Sequence, residues 1–390
     1  MIIPTSVATT VIFIFCLQAI AFAILLIVKK PRTQANILLS LVLGFFALTA
    51  LNLALFYVLI LTGQTKIIPY AQLELLFGLG PSLYLFTKSA ADPAYKLSKL
   101  GYLHFLPVVL EFIYYRTSYF RIGVINLTDT PRTLWNYIFI AEQWAGILSA
   151  SIYIVRSVTV LFYYNAWVKD NYSNLHKKNL NWLIKPVTAY ASFWLIWHFV
   201  RLADLFIYAD HYRDFYFYPM FILLAAITCW IGFQGYINAQ TEAQGFTVEL
   251  KKGIPLLVAQ LNYPPATGLL VMNGMEKDRL YLDVDLSIVS FSEKIGLSPK
   301  NVSKFINSEL HMNFHEYVNH FRVLEFMDRL KRPGSDKFNI WGHALESGFA
   351  SKSTFNYIFK KSTKLTPKQY YHQIRNEHQY NTSEKAISDD

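Results

Sequence analysis

Charged side chains are scarce in this sequence. They make up 16% of its 390 residues, against about 25% in a typical soluble domain, while hydrophobic residues reach 53% and mean hydropathy is +0.26. That balance argues against a wholly soluble chain and for a membrane protein carrying a soluble part. Cysteine is almost absent: Cys16 and Cys229 both sit inside apolar runs, which excludes a disulfide framework and cysteine zinc-ligand spacing. No paired metal ligands and no nucleophile–base spacing occur, so the sequence predicts neither an enzyme nor a cofactor. A removable signal peptide is lacking too. No charged residue precedes the first apolar run, and Lys29, Lys30 and Arg32 follow it, so the run is expected to remain as a span.

Long hydrophobic runs are what the chain has instead. Seven apolar segments lie near 7–28, 35–60, 69–90, 101–118, 134–160, 183–208 and 215–238, each close to the roughly 20 residues a helix needs to cross about 30 Å of hydrocarbon. The loops after spans one, three and five carry Lys29, Lys30, Arg32, Lys88, Lys96, Lys99, Lys169, Lys177 and Lys178; the alternate loops carry Lys66, Arg116, Arg121, Arg132 and Arg213. Cytoplasmic loops collect lysine and arginine, so the expected topology places the N-terminus outside and the C-terminal tail in the cytoplasm of a bacterial cell, at its inner membrane if the cell is Gram-negative.

Polar side chains inside spans face a bundle interior or a water-filled cavity. His198, Arg201 and Asp204 in WHFVRLAD share roughly one helix face, and Glu74, Glu111, Glu142 and Gln143 are available to join them. Two readings are open: an interhelical network that holds the bundle together, or a site for a signal molecule. Trp135, Trp167 and Trp182 near span ends read as interfacial anchors.

Past Gln240 the runs stop, and residues 239–285 read as a connector interrupted by Pro255, Pro264 and Pro265, with a short helix at 265–278. From 286 the pattern is that of a small helical domain. Ile288, Phe291 and Ile295 mark a short helix that ends in a turn at Gly296; Ser298 is a natural N-cap and Pro299 suits the first helical position. Val302, Phe305, Ile306 and Leu310 then line one face, leaving Lys300, Ser303, Lys304 and Asn307 on the other. NIWGHALESGFASKSTFNYIFKK repeats the arrangement around Gly348. Phe355, Ile358 and Phe359 form its inner side, and Lys352, Ser353, Asn356, Tyr357 and Lys360 point away. A helix over 314–331, with Phe314, Tyr317, Val318, Phe321, Leu324 and Leu330 in register, separates the two units. Helix, tight turn and polar second helix is the arrangement that lays its second helix in the major groove.

Over residues 286–376 the sequence resembles the AraC/XylS family of bacterial transcription regulators. The resemblance is carried by LSIVSFSEKIGLSPKNVSKFIN, by Phe314, Tyr317, Val318, Asn319 and Arg322, and by SGFASKSTFNYIFKK followed by Leu365, Thr366 and Pro367. It implies double-stranded DNA as partner, with Lys300, Ser303 and Lys304 on one recognition helix and Lys352, Ser353, Asn356 and Tyr357 on the other facing DNA; Asn307 joins the first set by its place on the same outward face. Lys360, Lys361 and Lys364 are placed for phosphate. Four positions depart from the family pattern: Ser292 replaces alanine, His343 a buried aliphatic, and His311 and Lys364 a frequent glycine. A buried neutral His343 and a pH sensor are both open there.

These observations predict an all-α chain: a seven-span bundle (1–238), a linker (239–285), a cytoplasmic double helix-turn-helix domain (286–376) and a disordered tail (377–390). The expected function is a membrane-embedded one-component regulator whose bundle detects a small-molecule or membrane signal and whose tail reads promoter DNA. Membrane lipids, RNA polymerase and a second copy of the chain are further expected partners. Two alternatives stand beside it: a transporter or membrane enzyme with a regulatory DNA-binding appendage, and spans that merely tether the regulator.

Overall fold

A computed structural model describes residues 5–30, 32–64, 73, 75–92, 94–118, 132–175, 178, 180–208, 211, 213–238, 266–332 and 338–375. Contacts divide the chain into two compact units, one formed by residues 1–164 and 180–249, the other by 165–179 and 250–390. Among the described residues the structure is helical apart from a single antiparallel bridge, Tyr172 to Ser287.

The first unit comprises α1 (Thr5–Val28), α2 (Gln34–Leu61), α3 (Leu76–Ala91), α4 (Lys99–Tyr102), α5 (Leu106–Ser118), the greater part of α6 (Arg132–Asn171), α7 (Asn181–Ile207) and α8 (Arg213–Asn238). Each apolar segment of the sequence carries one of these helices, the fourth as α4 and α5 joined by a 3-10 turn at Leu103–Phe105. Four stretches are long and apolar enough to cross a membrane: Val7–Val28, Gln34–Leu61, Ile140–Asn171 and Tyr218–Asn238. Helices α1, α2 and α8 pack together, α7 lies on α8, and α3 lies between α2 and α5. Gly80 of α3 lets the backbones close up, since a Cβ there would come within 3.0 Å of the Ala150 backbone on α6. Large apolar side chains face outward: on α7, Leu195 is 70% exposed, Phe199 74% and Phe206 79%, a stripe that a water-facing helix would not carry.

The second unit is built on α12 (Phe314–Lys331), with α9 (Thr267–Glu276), α10 (Ile288–Lys294) and α11 (Pro299–Glu309) on its N-terminal half and α13 (Ile340–Glu346) and α14 (Lys352–Thr363) on its C-terminal half. Local chemistry sets the helix starts. Ser287, Ser298, Asn313, Asn339 and Ser351 each accept a backbone N–H of the first turn, and Ser287 and Asn313 complete capping boxes with Ser290 and Glu316. Caps of this kind contribute about 1 kcal/mol each. Two cores result. Val271, Met275, Phe291, Val302, Ile306, Phe314 and Val318 fill the first; Val323, Phe326, Phe349, Phe355, Phe359 and Ile374 fill the second.

The apolar register expected for α12 holds except at Leu324, which is 43% exposed; the buried series continues through Val323, Phe326 and Leu330 instead. A helix over 367–375, absent from the sequence reading, closes the second core with Ile374 and sets Tyr370 against Phe359 at 5.4 Å. The short helix expected at 265–278 is α9. The rest of the linker, 239–265, and the tail, 376–390, lie outside the described residues.

The departures from the family pattern acquire physical meaning here. His311 and Lys364 adopt left-handed backbone, at φ 53° and 65°, a region that costs a non-glycine residue about 1–2 kcal/mol. Ser292 is fully buried and its hydroxyl has no hydrogen-bond partner, a desolvation cost of about 1–3 kcal/mol. Ser292→Ala should therefore stabilise the second unit by about 1 kcal/mol, visible as slower hydrogen exchange in α10 of the intact chain. Unchanged or faster exchange would contradict the account of that hydroxyl.

Candidate nucleic-acid interface

Each pair of short helices turns at a glycine, and the two turns are not equivalent. Gly296, at φ 71°, has open space around it, whereas Gly348, at φ 90°, lies where a Cβ would come within 2.6 Å of the Tyr281 carbonyl and 3.0 Å of Arg322 Nε. The second turn thus requires glycine twice over, for its backbone conformation and for the close approach.

The expected DNA-facing residues fall on two helices. On α14, Lys352, Ser353, Asn356, Tyr357, Lys360 and Lys361 are all exposed, Tyr357 by 69%, while Phe355, Ile358 and Phe359 are buried beneath them. On α11, Lys300 and Asn307 are exposed, and Ser303 and Lys304 are half-buried; Asn307 Nδ2 donates to Ser303 Oγ at 3.3 Å. Phe326 of α12 touches Phe355 and Phe359, with ring centroids 4.7 and 5.2 Å apart, so α14 is fixed on the scaffold by aromatic packing. Lys361 is not simply free for phosphate, because its Nζ lies 3.1 Å from Glu316 Oε1 at the start of α12. Lys364 is the left-handed C-cap of α14 and is exposed. His343 is buried with its ring against Phe338.

Beneath α11 and α14, α12 carries a polar stripe at helical spacing that the sequence reading did not single out as one structure. Asn319, Arg322 and Glu325 are 2%, 1% and 6% exposed. Arg322 Nε donates to the Tyr281 carbonyl at 2.8 Å, and its Nη2 donates to the Asp283 carbonyl at 2.7 Å and to Ser173 Oγ at 3.1 Å. Burial pushes the guanidinium down to about 10, with Asp283 and Asp285 pulling it back up, so it stays charged at neutral pH. Glu325 accepts from Tyr281 Oη at 3.1 Å and from Arg329 Nε at 2.6 Å, and pairs with Arg279.

Ser173 is the unexpected member. It follows α6 in sequence, yet the segment 165–179 belongs to the second unit. Its N–H and hydroxyl both donate to the Leu286 carbonyl, at 3.1 and 2.7 Å, and Asn174 Nδ2 donates to Asp285 Oδ1 at 3.0 Å. The Ser173 carbonyl lies 2.6 Å from His315 Nδ1, which must carry the proton for that bond, and 3.4 Å from Asn319 Nδ2. No local pattern in 165–179 signals this docking, because its partners are more than 100 residues away.

Burial pushes His315 down to about 4; the Ser173 carbonyl and Glu316 oppose that shift, while Arg322 and Lys169 add to it. The folded ring is therefore neutral where the unfolded one, near 6.5, binds a proton. Its contribution to stability is fully present above about pH 6.5 and is lost as pH falls toward 4. Thermal unfolding of the intact chain followed from pH 7 to 4 should show that loss, and His315→Gln should flatten it. Releasing Lys361 by Glu316→Gln should tighten binding to any duplex and steepen the salt slope by about one, read from titrations at several salt concentrations.

Comparison with known proteins places these helices. Residues 291–373 match a family model described as a helix-turn-helix domain, of the AraC/XylS type that the signature residues resemble. An uncharacterized HTH-type transcriptional regulator of Staphylococcus aureus strain COL is 31% identical over 126 residues, which are 30% of this chain and 16% of that protein. Regulators of the same description from strains MSSA476 and MRSA252 are 30% identical over the same length and the same shares. The chain thus spans 16% of the length of the curated relatives it matches. No solved structure matches the chain. Residues 291–373 are a helix-turn-helix domain of a kind that occurs in DNA-binding transcription regulators.

Proposed function

We propose that this chain is a membrane-embedded one-component transcription regulator that reads promoter DNA through α11 and α14 and takes its signal from the helical bundle. Support for the DNA-reading half comes from the two outward polar faces and the comparisons above. Asparagine pairs with adenine N6 and N7 and lysine donates to guanine O6 or N7, so Asn356 and Lys304 are assigned base contacts; Lys352, Ser353, Tyr357, Lys300, Ser303 and Asn307 flank them. Lys360, Lys361 and Lys364 are assigned phosphates. Two reading helices fit successive major grooves, about 34 Å apart.

The observation that carries the sensing half is Ser173. It lies in the short segment between the apolar helices α6 and α7, and it is sealed against Arg322 on the scaffold of the reading helices. A change in how α6 and α7 pack has a direct covalent path to that contact.

Genome-wide mapping of DNA bound by the intact protein, followed by footprinting, tests the reading half; discrete sites with two protected patches are expected, and uniform occupancy would refute it. Asn356→Ala and Lys304→Ala should each cost about 1–3 kcal/mol at the preferred site and relax selectivity there. For transmission, Ser173→Ala adds no bulk and removes the hydroxyl with its two hydrogen bonds, of about 0.5–1.5 kcal/mol each. Output of a target-promoter reporter should shift roughly five- to thirtyfold. Unchanged output would sink the assigned route.

A further inference from the structure

The first unit contains a cavity of about 430 Å³ between α2, α3, α6, α7 and α8, within the range of roughly 300–1,000 Å³ typical of small-molecule sites. Its composition is graded along the helices. One end is aromatic: Phe46 meets Tyr190 edge-on at 5.7 Å, and Tyr190 lies 6.0 Å from Trp194, whose indole N–H donates to Ser151 Oγ at 3.0 Å. The other end is polar. His198 and Arg201, one and two turns further along α7, line it together with Asn52, Gln143 and Tyr216.

Glu111 and Asp204 are buried but do not line the cavity. Glu111 accepts the Leu76 and Phe77 N–H groups at 2.8 and 3.3 Å and so caps α3, and Asp204 accepts from Tyr216 Oη at 3.1 Å. His198 Nδ1 is 2.7 Å from the Trp194 carbonyl, which fixes the tautomer and leaves Nε2 as the ring's other polar atom. Among the described residues that line the cavity, Arg201 alone carries a formal charge. Its guanidinium already engages Tyr216, and its planar fork of five donors matches a carboxylate or phosphate.

We propose that this cavity binds a small amphipathic acid, its anionic head at Arg201 and its apolar body among Phe46, Tyr190 and Trp194. The proposal rests on the reading of the bundle as a signal receptor and narrows the signal to one chemical class. Of the sequence's candidate trio, His198 and Arg201 contact the ligand, and Asp204 holds Tyr216 in place.

The test uses the full chain in lipid nanodiscs, with tryptophan fluorescence as readout, since Trp144, Trp194 and Trp197 line the site. Decanoate serves as the bilayer-borne acid and phenylacetate as the water-borne one; decanol and decyltrimethylammonium are the neutral and cationic controls. Saturable binding of at least one acid is expected, with decanol and the cation weaker by at least about tenfold, the loss of roughly one charge-assisted contact. Which acid binds tighter identifies the source. Arg201→Gln should weaken the acid by a similar factor, and Leu53→Trp, which fills the cavity from α2, should abolish binding with helix content retained. No saturable signal from either acid, decanol binding as tightly as decanoate, or acid binding untouched by Leu53→Trp would overturn the proposal. The receptor reading fails separately: acid binding that leaves reporter output unchanged refutes the coupling and leaves the site intact.

Discussion

The second unit depends on one buried cation. Arg322 has 1% of its surface exposed and spends its donors on the carbonyls of Tyr281 and Asp283 and on the Ser173 hydroxyl. A guanidinium without such acceptors would not be tolerated there, since an unpaired buried charge costs several kcal/mol. The constraint therefore runs in both directions: the charge fixes residues 281–284 and Ser173 against α12, and those backbone groups make the burial possible. Gly348 is drawn into the same knot, because a Cβ there would collide with the Tyr281 carbonyl and the Arg322 side chain. One side chain thereby ties together the start of the first helix pair, the turn of the second pair and the segment that follows α6.

Much of this domain was legible in the sequence because its signals are local. Ser298 followed by Pro299, Gly296 and Gly348, and the spacing of Phe355, Ile358 and Phe359 are each read within one or two helical turns, and α11, α12 and α14 lie where those signals put them. The outward faces of the reading helices follow from the same periodicity. Leu324 was misassigned because helical register alone does not say which side of α12 lacks a neighbour. Ser173 and His315 were invisible for a different reason: they meet across 142 residues, and nothing in the sequence around either residue encodes a partner so far away.

The first unit shows how the same residue types divide between scaffold and site. A buried carboxylate costs free energy unless it is hydrogen-bonded; Glu111 accepts from the α3 N-terminus, and Glu142 accepts from Tyr115 and Gln143. His198 and Arg201 instead line a cavity whose remaining wall is mainly apolar and aromatic. Of the three residues grouped by helical face, His198 and Arg201 line that cavity, while Asp204 accepts from Tyr216 of α8.

The central claim is that Ser173 is an integral part of the second unit, which carries the helix-turn-helix domain. Hydrogen exchange of the intact chain at fixed pH measures it most directly, through the Ser173 amide that donates to the Leu286 carbonyl. The account predicts that this amide exchanges as slowly as the core amides of α12 and that Arg322→Gln speeds it sharply. Fast exchange at Ser173 beside a protected α12 would contradict it.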